Sequence, residues 1–435
     1  MRRQAVTALV MSALMSGTVS AREAQIGAQH TYVTACLADE EPADRMVSIC
    51  ERALDQPDAS LRQRLDVMET LAWAHYHLDD EARARSLFVE ILAIDPDSED
   101  GLSGLGWLAI ESQDYGVARD YFERAMNRSP NAEVQAGLAM SRYWGNDIGS
   151  RDALHGLEAA LAIDPNYLWA MVRKGWVLTD LDRLDEAAAA FRFVIKREPD
   201  NESALYGMAF VESERDNWTT ALSFVDRALE EDPDYVSALS RRSLILFYLD
   251  RNKEALRDAE KVIALAPDRA DGYVRKARAL SSLGRRVKGF EVLKEAEARV
   301  GYSSFLVYWR ASLLLDEGRS SEALEQIDRT MAESEADFHD HLLRARIGLE
   351  LKDIPLARES IDAALALRPE DKWGLYYDAM VMAQEDRFGM AVQQFGQAVE
   401  RGLSLTKLDE FNAALVGRGA YATAVLLRAR YLLVK

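Results

Sequence analysis

The chain has 435 residues, 49% of them hydrophobic and 29% charged, and its 72 acidic residues outweigh 53 basic ones for a formal charge of −19. This composition describes a soluble, ordered protein. It offers no basic footprint for neutralising phosphates, which argues against nucleic acid and anionic membranes as main partners.

At the N-terminus, Arg2 and Arg3 precede an apolar run from Ala5 to Val19, and Val19-Ser20-Ala21 supplies the small residues of a cleavage site. Residues 1–21 therefore read as a secretory signal peptide cut before Arg22. The competing reading is an uncleaved membrane anchor, although the run is short for a span and contains Ser12, Ser16 and Gly17. No later segment approaches about 18 uninterrupted apolar residues, so no transmembrane helix is expected in the mature chain.

Residues 22–62 read as a divergent helix hairpin. It carries the only two cysteines, Cys36 and Cys50, and in an exported chain such a pair suggests a disulfide. In an ideal hairpin Cys50 would lie about five residues deeper than Cys36, roughly 8 Å along the axis. A bridge then requires Cys36 to leave its helix and fold back. The alternative is two buried thiols.

Residues 63–405 repeat. Prolines stand at Pro96, Pro130, Pro165, Pro199, Pro233, Pro267 and Pro369, in steps of 34 with a single 35, and the last gap is three periods. Proline lacks an N–H and disfavours helix in the residue before it, so each closes one unit. The two empty slots fall at Gly301 and Glu335. Windows open at Leu65, Glu99, Glu133, Leu168, Glu202, Val236, Ala270, Ser304, Phe338 and Lys372. Each reads as two amphipathic helices around a polar turn. The eighth position is small in nearly every window (Gly106, Gly175, Ala209), as is the twentieth (Ala118, Ala187, Ala221), while the twenty-fourth is mostly large and apolar (Phe88, Phe122, Phe191). Small residues let the two helices approach closely, and the large one fills the gap to the next hairpin. The single step of 35 reads as one extra residue in the turn at Gly145-Asn146-Asp147. Residues 406–435 form a shorter terminal pair of capping helices around Gly417 and Gly419.

The period, the Leu105-Gly106 pair, the trio Ala118, Phe122 and Ala125, and the closing Pro130 resemble the signature of the tetratricopeptide repeat (TPR) family over nearly the whole mature chain. A 34-residue hairpin is too small to bury its own core, so stacking is obligatory. The resemblance implies an all-α, right-handed superhelical solenoid of about eleven stacked hairpins with a C-terminal helical cap, its concave groove lined mainly by first helices.

Within a first helix, positions 4, 7, 8 and 11 form one stripe, and positions 2, 5, 9 and 12 form another about 130° away. The resemblance turns the second stripe to the groove. It carries Trp73, Trp107, Trp144, Trp169, Trp176, Tyr206, Phe210, Phe247, Tyr308, Trp373 and Tyr376. Arg173, Arg241, Arg275, Arg278 and Arg346 sit beside it. Aromatics with arginine dominate binding hot spots. Such a groove suits an extended or helical peptide with apolar anchors and a carboxylate. The competing reading buries these rings between consecutive first helices. The Lys-and-Asn pattern with which some family members grip chaperone tails is missing, since positions five and nine hold residues such as Ser103, Trp107, Val172 and Trp176.

No catalytic residue, metal site or cofactor is expected. His75/His77 and His339/His341 are spaced by two, whereas a zinc pair on a helix wants four. The glycine-rich stretch Gly101–Gly106 lies in a helix and lacks the lysine of a phosphate loop. The expected function is a non-catalytic scaffold in the bacterial envelope, most simply the periplasm, that binds a protein or peptide in its groove. The alternative is a component of an envelope polysaccharide or protein export machinery that contacts glycan or other subunits. The oligomeric state stays open.

Overall fold

A computed structural model describes residues 32–38, 41–56, 59–301, 303–333 and 336–432. The expected signal peptide, residues 1–21, lies outside these. Among the described residues the regular structure is helical throughout, and no helix is long and apolar enough to cross a membrane. The contacts divide the chain into two compact units, one ending at Val194 and one beginning at Ile195. Each is a stack of antiparallel helix hairpins such as Glu99–Glu111 with Tyr115–Arg128, and Val236–Tyr248 with Asn252–Leu265.

One backbone device makes the hairpin turns. A left-handed residue recurs at Asp79, Gln113, Asn146, Asp182, Asp216, Asp250, Gly284, Gly318, Lys352, Asp386 and Gly419. The amide after it returns to a carbonyl in the last turn of the first helix, as from Asp114 N to Ala109 O and Arg251 N to Leu246 O, both 2.8 Å. This satisfies carbonyls that a helix end otherwise leaves open. Aspartate and asparagine tolerate the left-handed region, which explains the polar break in each window. The next residue often caps the second helix: Asp80, Asp114 and Asp353 each accept an amide of its first turn.

The step of 35 has a different origin from the one expected. The Glu133 window has three residues between its C-cap, Gly145, and the next N-cap, Gly149, where the preceding window has only Gln113 between Ser112 and Asp114. The turn is thus two residues longer, not one. The first helix compensates by starting one residue sooner after its proline, with Asn131 rather than a second residue as N-cap. At the empty proline slot 301, Gly301 (φ 88°) ends the helix Arg286–Val300.

The packing follows the small-large pattern. Phe88, Phe122, Phe191 and Phe395 are fully buried. A Cβ on Gly106 would sit 2.8 Å from the Phe122 ring, and one on Gly137 of the next hairpin 2.5 Å from it. Phe122 therefore fills both its own hairpin and the seam to its neighbour. Position 7, which shares a stripe with the small eighth position, carries cations in several windows. Lys174, Arg242, Lys276 and Arg344 each reach a carboxylate on the preceding second helix: Glu158 at 2.9 Å, Asp226 at 3.0 Å, Glu260 at 3.3 Å and Asp328 at 2.7 Å.

Cys36 and Cys50 are joined by a disulfide, with Cα atoms 5.1 Å apart, and both are fully buried. Cys36 keeps helical backbone within 32–37. The bridge forms without the fold-back that an ideal parallel-axis hairpin demands. At the other end Phe395 stacks on Phe411 of the cap at 4.6 Å.

Candidate functional site

Each unit holds a cavity lined mainly by first helices, and the two differ in charge. In the second unit a cleft of about 650 Å³ is walled by Phe247, Phe305, Tyr308, Trp309, Trp373 and Tyr377, with Arg278, Arg346 and Lys407 as its cations. The Arg278 guanidinium lies 4.1 Å from the Phe247 ring centre and 4.5 Å from that of Trp309, so it is clasped between two π faces. Arg346 lies 5.8 Å from the Tyr377 ring and 3.8 Å from Asp316. Burial raises the Asp316 carboxyl above its ordinary range, while Arg346 and Arg278 oppose the shift.

One turn away on the helix of Arg278, Arg275 has a buried Nε with no hydrogen-bond partner. Burial, then the neighbouring charges of Arg278 and Arg241, push its pKa down to about 9. Arg241 itself covers the Phe210 ring at 4.2 Å and bonds Ser213 Oγ and Glu214, each at 3.2 Å.

In the first unit a cavity of about 830 Å³ is bounded by Trp73, Tyr76, Trp107, Tyr167 and Trp169, with Leu37, Glu41 and Met46 of the disulfide-bonded hairpin on its rim. Among the described residues its charged lining is Glu41, Asp66, Glu69, Asp100 and Glu133, with no lysine or arginine. Trp107 and Trp169 meet edge to face at 4.7 Å.

Of the residues expected at one groove, Phe247, Arg278, Tyr308, Arg346 and Trp373 come together in the cleft of the second unit. Trp73, Trp107 and Trp169 come together in the cavity of the first. Arg173 lies over Trp144 and Trp169, at 5.5 and 5.0 Å. Trp176 packs edge-on against buried Phe191 at 5.3 Å. Tyr206 pairs with Tyr235 at 5.2 Å, and Phe210 lies under Arg241, neither lining the cleft. Tyr376 is fully buried beside Phe395, as the competing packing reading requires.

The comparisons agree with this architecture. The tetratricopeptide repeat family matches residues 178–242 and again residues 308–372. The chain is a tetratricopeptide repeat protein. The cellulose synthase 2 operon protein C of Komagataeibacter xylinus is 26% identical over 414 residues, covering 88% of this TPR protein and 30% of the relative. The STIP1 homolog of Dictyostelium discoideum is 43% identical over 82 residues, 19% of this chain and 14% of that one. The chain thus spans less than a third of either relative's length. Among solved structures, that of the APC/C hetero-tetramer Cut9-Hcn1 shares the fold at 13% identity and a TM-score of 0.55, over 98% of this chain and 89% of that one.

Several lining residues of the TPR protein were not on the expected stripe. Trp309 and Tyr377 occupy position 6 of their windows, one residue past position 5 and within a turn of positions 2 and 9. Glu69 and Asp100 stand on the stripe, at positions 5 and 2, and Glu133 opens its window. A search for aromatics and arginines passes over them.

Proposed function

We propose that this TPR protein is a non-catalytic scaffold of the bacterial envelope, carried to the periplasm by a cleavable signal peptide, which holds a protein segment in the cleft of its second unit. The observation that carries the reading is Arg278 clasped between Phe247 and Trp309 in a cleft with further aromatic walls. The rings pre-orient the guanidinium, so little side-chain entropy is lost when a carboxylate or backbone carbonyl engages it. Rigid aromatics and arginine in a concave site are what interaction hot spots use. The test is affinity capture from a periplasmic extract with the native chain and with Arg278→Ala/Trp309→Ala. A protein retained by the first and lost from the second supports the reading. Equal retention by both overturns it.

A second reading has its own support. The match to the cellulose synthase 2 operon protein C extends over 88% of this chain, and exposed aromatic faces also stack on sugar rings. In that reading the same cleft contacts a β-glucan or another subunit of a polysaccharide export machinery. Quenching of tryptophan fluorescence by cello-oligosaccharides, abolished in Trp309→Ala, favours the second reading. No response to any glycan, with capture of a protein, favours the first.

A further inference from the structure

The cavity of the first unit takes no part in the reading above, and its chemistry is the opposite of the cleft's. Glu69, Asp100 and Glu133 come from three successive first helices, Leu61–His77, Glu99–Glu111 and Ala132–Trp144, and face one space. Each carboxylate is held through one oxygen by an uncharged donor. Trp73 Nε1 donates to Asp100 Oδ1 at 2.7 Å, Trp107 Nε1 donates to Glu133 Oε1 at 2.6 Å, and Ser98 Oγ donates to Glu69 Oε1 at 3.0 Å. The two indoles and the Ser98 hydroxyl thus fix the carboxylates on the cavity wall without neutralising them.

Among the described residues these charges are answered only from a distance, by Arg62, which draws the Glu69 carboxyl down slightly against the larger effects of burial and Asp100. Among the described residues the lining contains no lysine or arginine, and no ion pair engages Glu69, Asp100 or Glu133. The nearby Arg62 is paired with Asp66 at 2.9 Å. Burial, and then Asp100, raise the Glu69 carboxyl above its ordinary range. Burial raises Glu133, with Asp100 and Glu99 adding to it against the bond from Trp107. Half-buried carboxylates that repel one another and lack a counter-charge oppose folding. An occupant that supplies the charge would remove that cost.

The geometry narrows the occupant. Among the described residues no three His, Cys, Asp or Glu groups converge closely enough to hold a metal ion. The carboxylates are instead spread along a wall that also carries the rings of Trp73, Trp107 and Trp169. That combination fits a cation with an apolar stem, which can lay its methylenes and charge against π faces and reach a carboxylate with its head. We infer that the first unit's cavity is a receptor for a lysine or arginine side chain of an extended protein segment, seated against the half-buried rings of Trp73 and Trp169 and paired with Glu69, Asp100 and Glu133. Arginine is the better occupant, because its planar head both stacks and donates in a fork.

The inference shares with the proposed function only the premise of a protein partner, and it concerns a different cavity. The probe is a fluorescein-labelled nona-arginine peptide, followed by anisotropy at about 150 mM salt, where long-range attraction to the acidic chain is screened. Nona-glutamate and a Gly-Ser peptide of equal length are the controls. Nona-arginine should bind, and Glu69→Gln/Glu133→Gln should weaken it at least tenfold. The exposed pair Glu230→Gln/Glu231→Gln, which removes the same charge elsewhere, should change it less than twofold. Circular dichroism establishes that each variant is folded. Equal weakening by both pairs, or no preference for arginine over glutamate, overturns the inference. So does spermine binding with the peptide excluded, which would mark a small-molecule site. Arg278→Ala/Trp309→Ala should leave nona-arginine binding intact, so failure here is distinguishable from failure of the cleft.

Discussion

Lys372 Nζ lies 3.1 Å from Asp216 Oδ2, across 156 residues of sequence, and also donates to the Glu214 carbonyl at 3.4 Å. Asp216 is the left-handed residue of the second unit's first hairpin turn, and Lys372 opens the first helix of its sixth hairpin. The second unit therefore curves until these two hairpins touch. Trp373, the neighbour of Lys372, is part of the cleft wall, so the contact adjoins the helix that walls the cleft. Both side chains are partly exposed, and the pair should contribute no more than about 1 kcal/mol. Lys372→Met should barely move the melting temperature yet speed hydrogen exchange at the turn around Asp216. A double-mutant cycle with Asp216→Asn should show coupling that fades with salt. Unchanged exchange would mean that the curvature is held without this contact.

Phe122 sets the spacing of two hairpins. It is fully buried, meets Trp107 edge to face at 5.2 Å, and touches the faces left open by Gly106 and Gly137. Phe122→Ala should cost about 3–5 kcal/mol by cavity formation. Gly106→Ala alone should also destabilise, because its Cβ would crowd the ring. In the Phe122→Ala background the clash is gone, and the same change should stabilise by up to about 1 kcal/mol through helix propensity. Thermal melts of the four proteins check the reversal of sign.

Arg358 bridges two hairpins of the second unit. It donates to Asp378 at 2.6 Å and to both oxygens of Glu385 at 3.0 and 2.8 Å, and Gln394 also binds Asp378 at 2.7 Å. Asp378 is buried, and burial raises its pKa even though Arg358 pulls it down. Arg358→Gln strands that charge and should cost about 3–5 kcal/mol at pH 7. A carboxyl with a raised folded pKa opposes folding above its unfolded pKa, and the opposition fades as pH falls through the folded value. The deficit should therefore shrink on acidification, and Asp378→Asn should recover part of it at neutral pH. A deficit independent of pH would place the loss in packing instead.

The hairpins are legible because close helix packing forces small residues to fixed positions: Gly106 and Gly137 are there because Phe122 leaves no room for more. The turn of the Glu133 window is hidden from the sequence because a net gain of one residue conceals two added after Trp144 and one removed before Ala132. Position 7 shares a stripe with the small eighth position and is apolar in Leu105, yet in Lys174, Arg242 and Arg344 a long stem crosses the seam and ends in an ion pair. Tyr376 stands on the groove stripe but is buried, because the terminal cap closes over it and Phe395. Periodicity names a helix face. Which part of that face is open depends on the neighbours that a curved stack brings together.

The disulfide closes 14 residues of sequence and adjoins the acidic cavity, since Leu37 and Met46 flank its two cysteines and line that space. Removing a cross-link of this loop length should cost about 3 kcal/mol in the chain-entropy account. Cys36→Ser/Cys50→Ser should melt earlier than the oxidised protein and bind nona-arginine more weakly. Titration of unfolded, exported protein should find no free thiol without reductant and two with it. Two free thiols in both conditions would remove the bridge and its effect on the cavity.

The acidic cavity makes stability and binding respond to pH in opposite directions. Glu69 and Glu133 have folded pKa values above the ordinary carboxylate range. In the empty protein their ionisation opposes folding at neutral pH, and that opposition is relieved as pH falls through the raised values. A guanidinium in the cavity favours the ionised forms and lowers both pKa values. Binding therefore releases protons, and affinity should be greatest at neutral pH and fall as the glutamates protonate. The groups facing the site are Glu41, Asp66, Glu69, Tyr76, His77, Asp100, Glu133 and Tyr167. Repeating the titration in His77→Gln separates the histidine from the carboxylates. Glu69→Gln/Glu133→Gln should raise the melting temperature at pH 7, by no more than about 2 °C, while weakening the peptide at least tenfold. A variant that lost both stability and binding would mean that the carboxylates are structural. Gain of stability with loss of binding is the signature of charges held in place for a ligand.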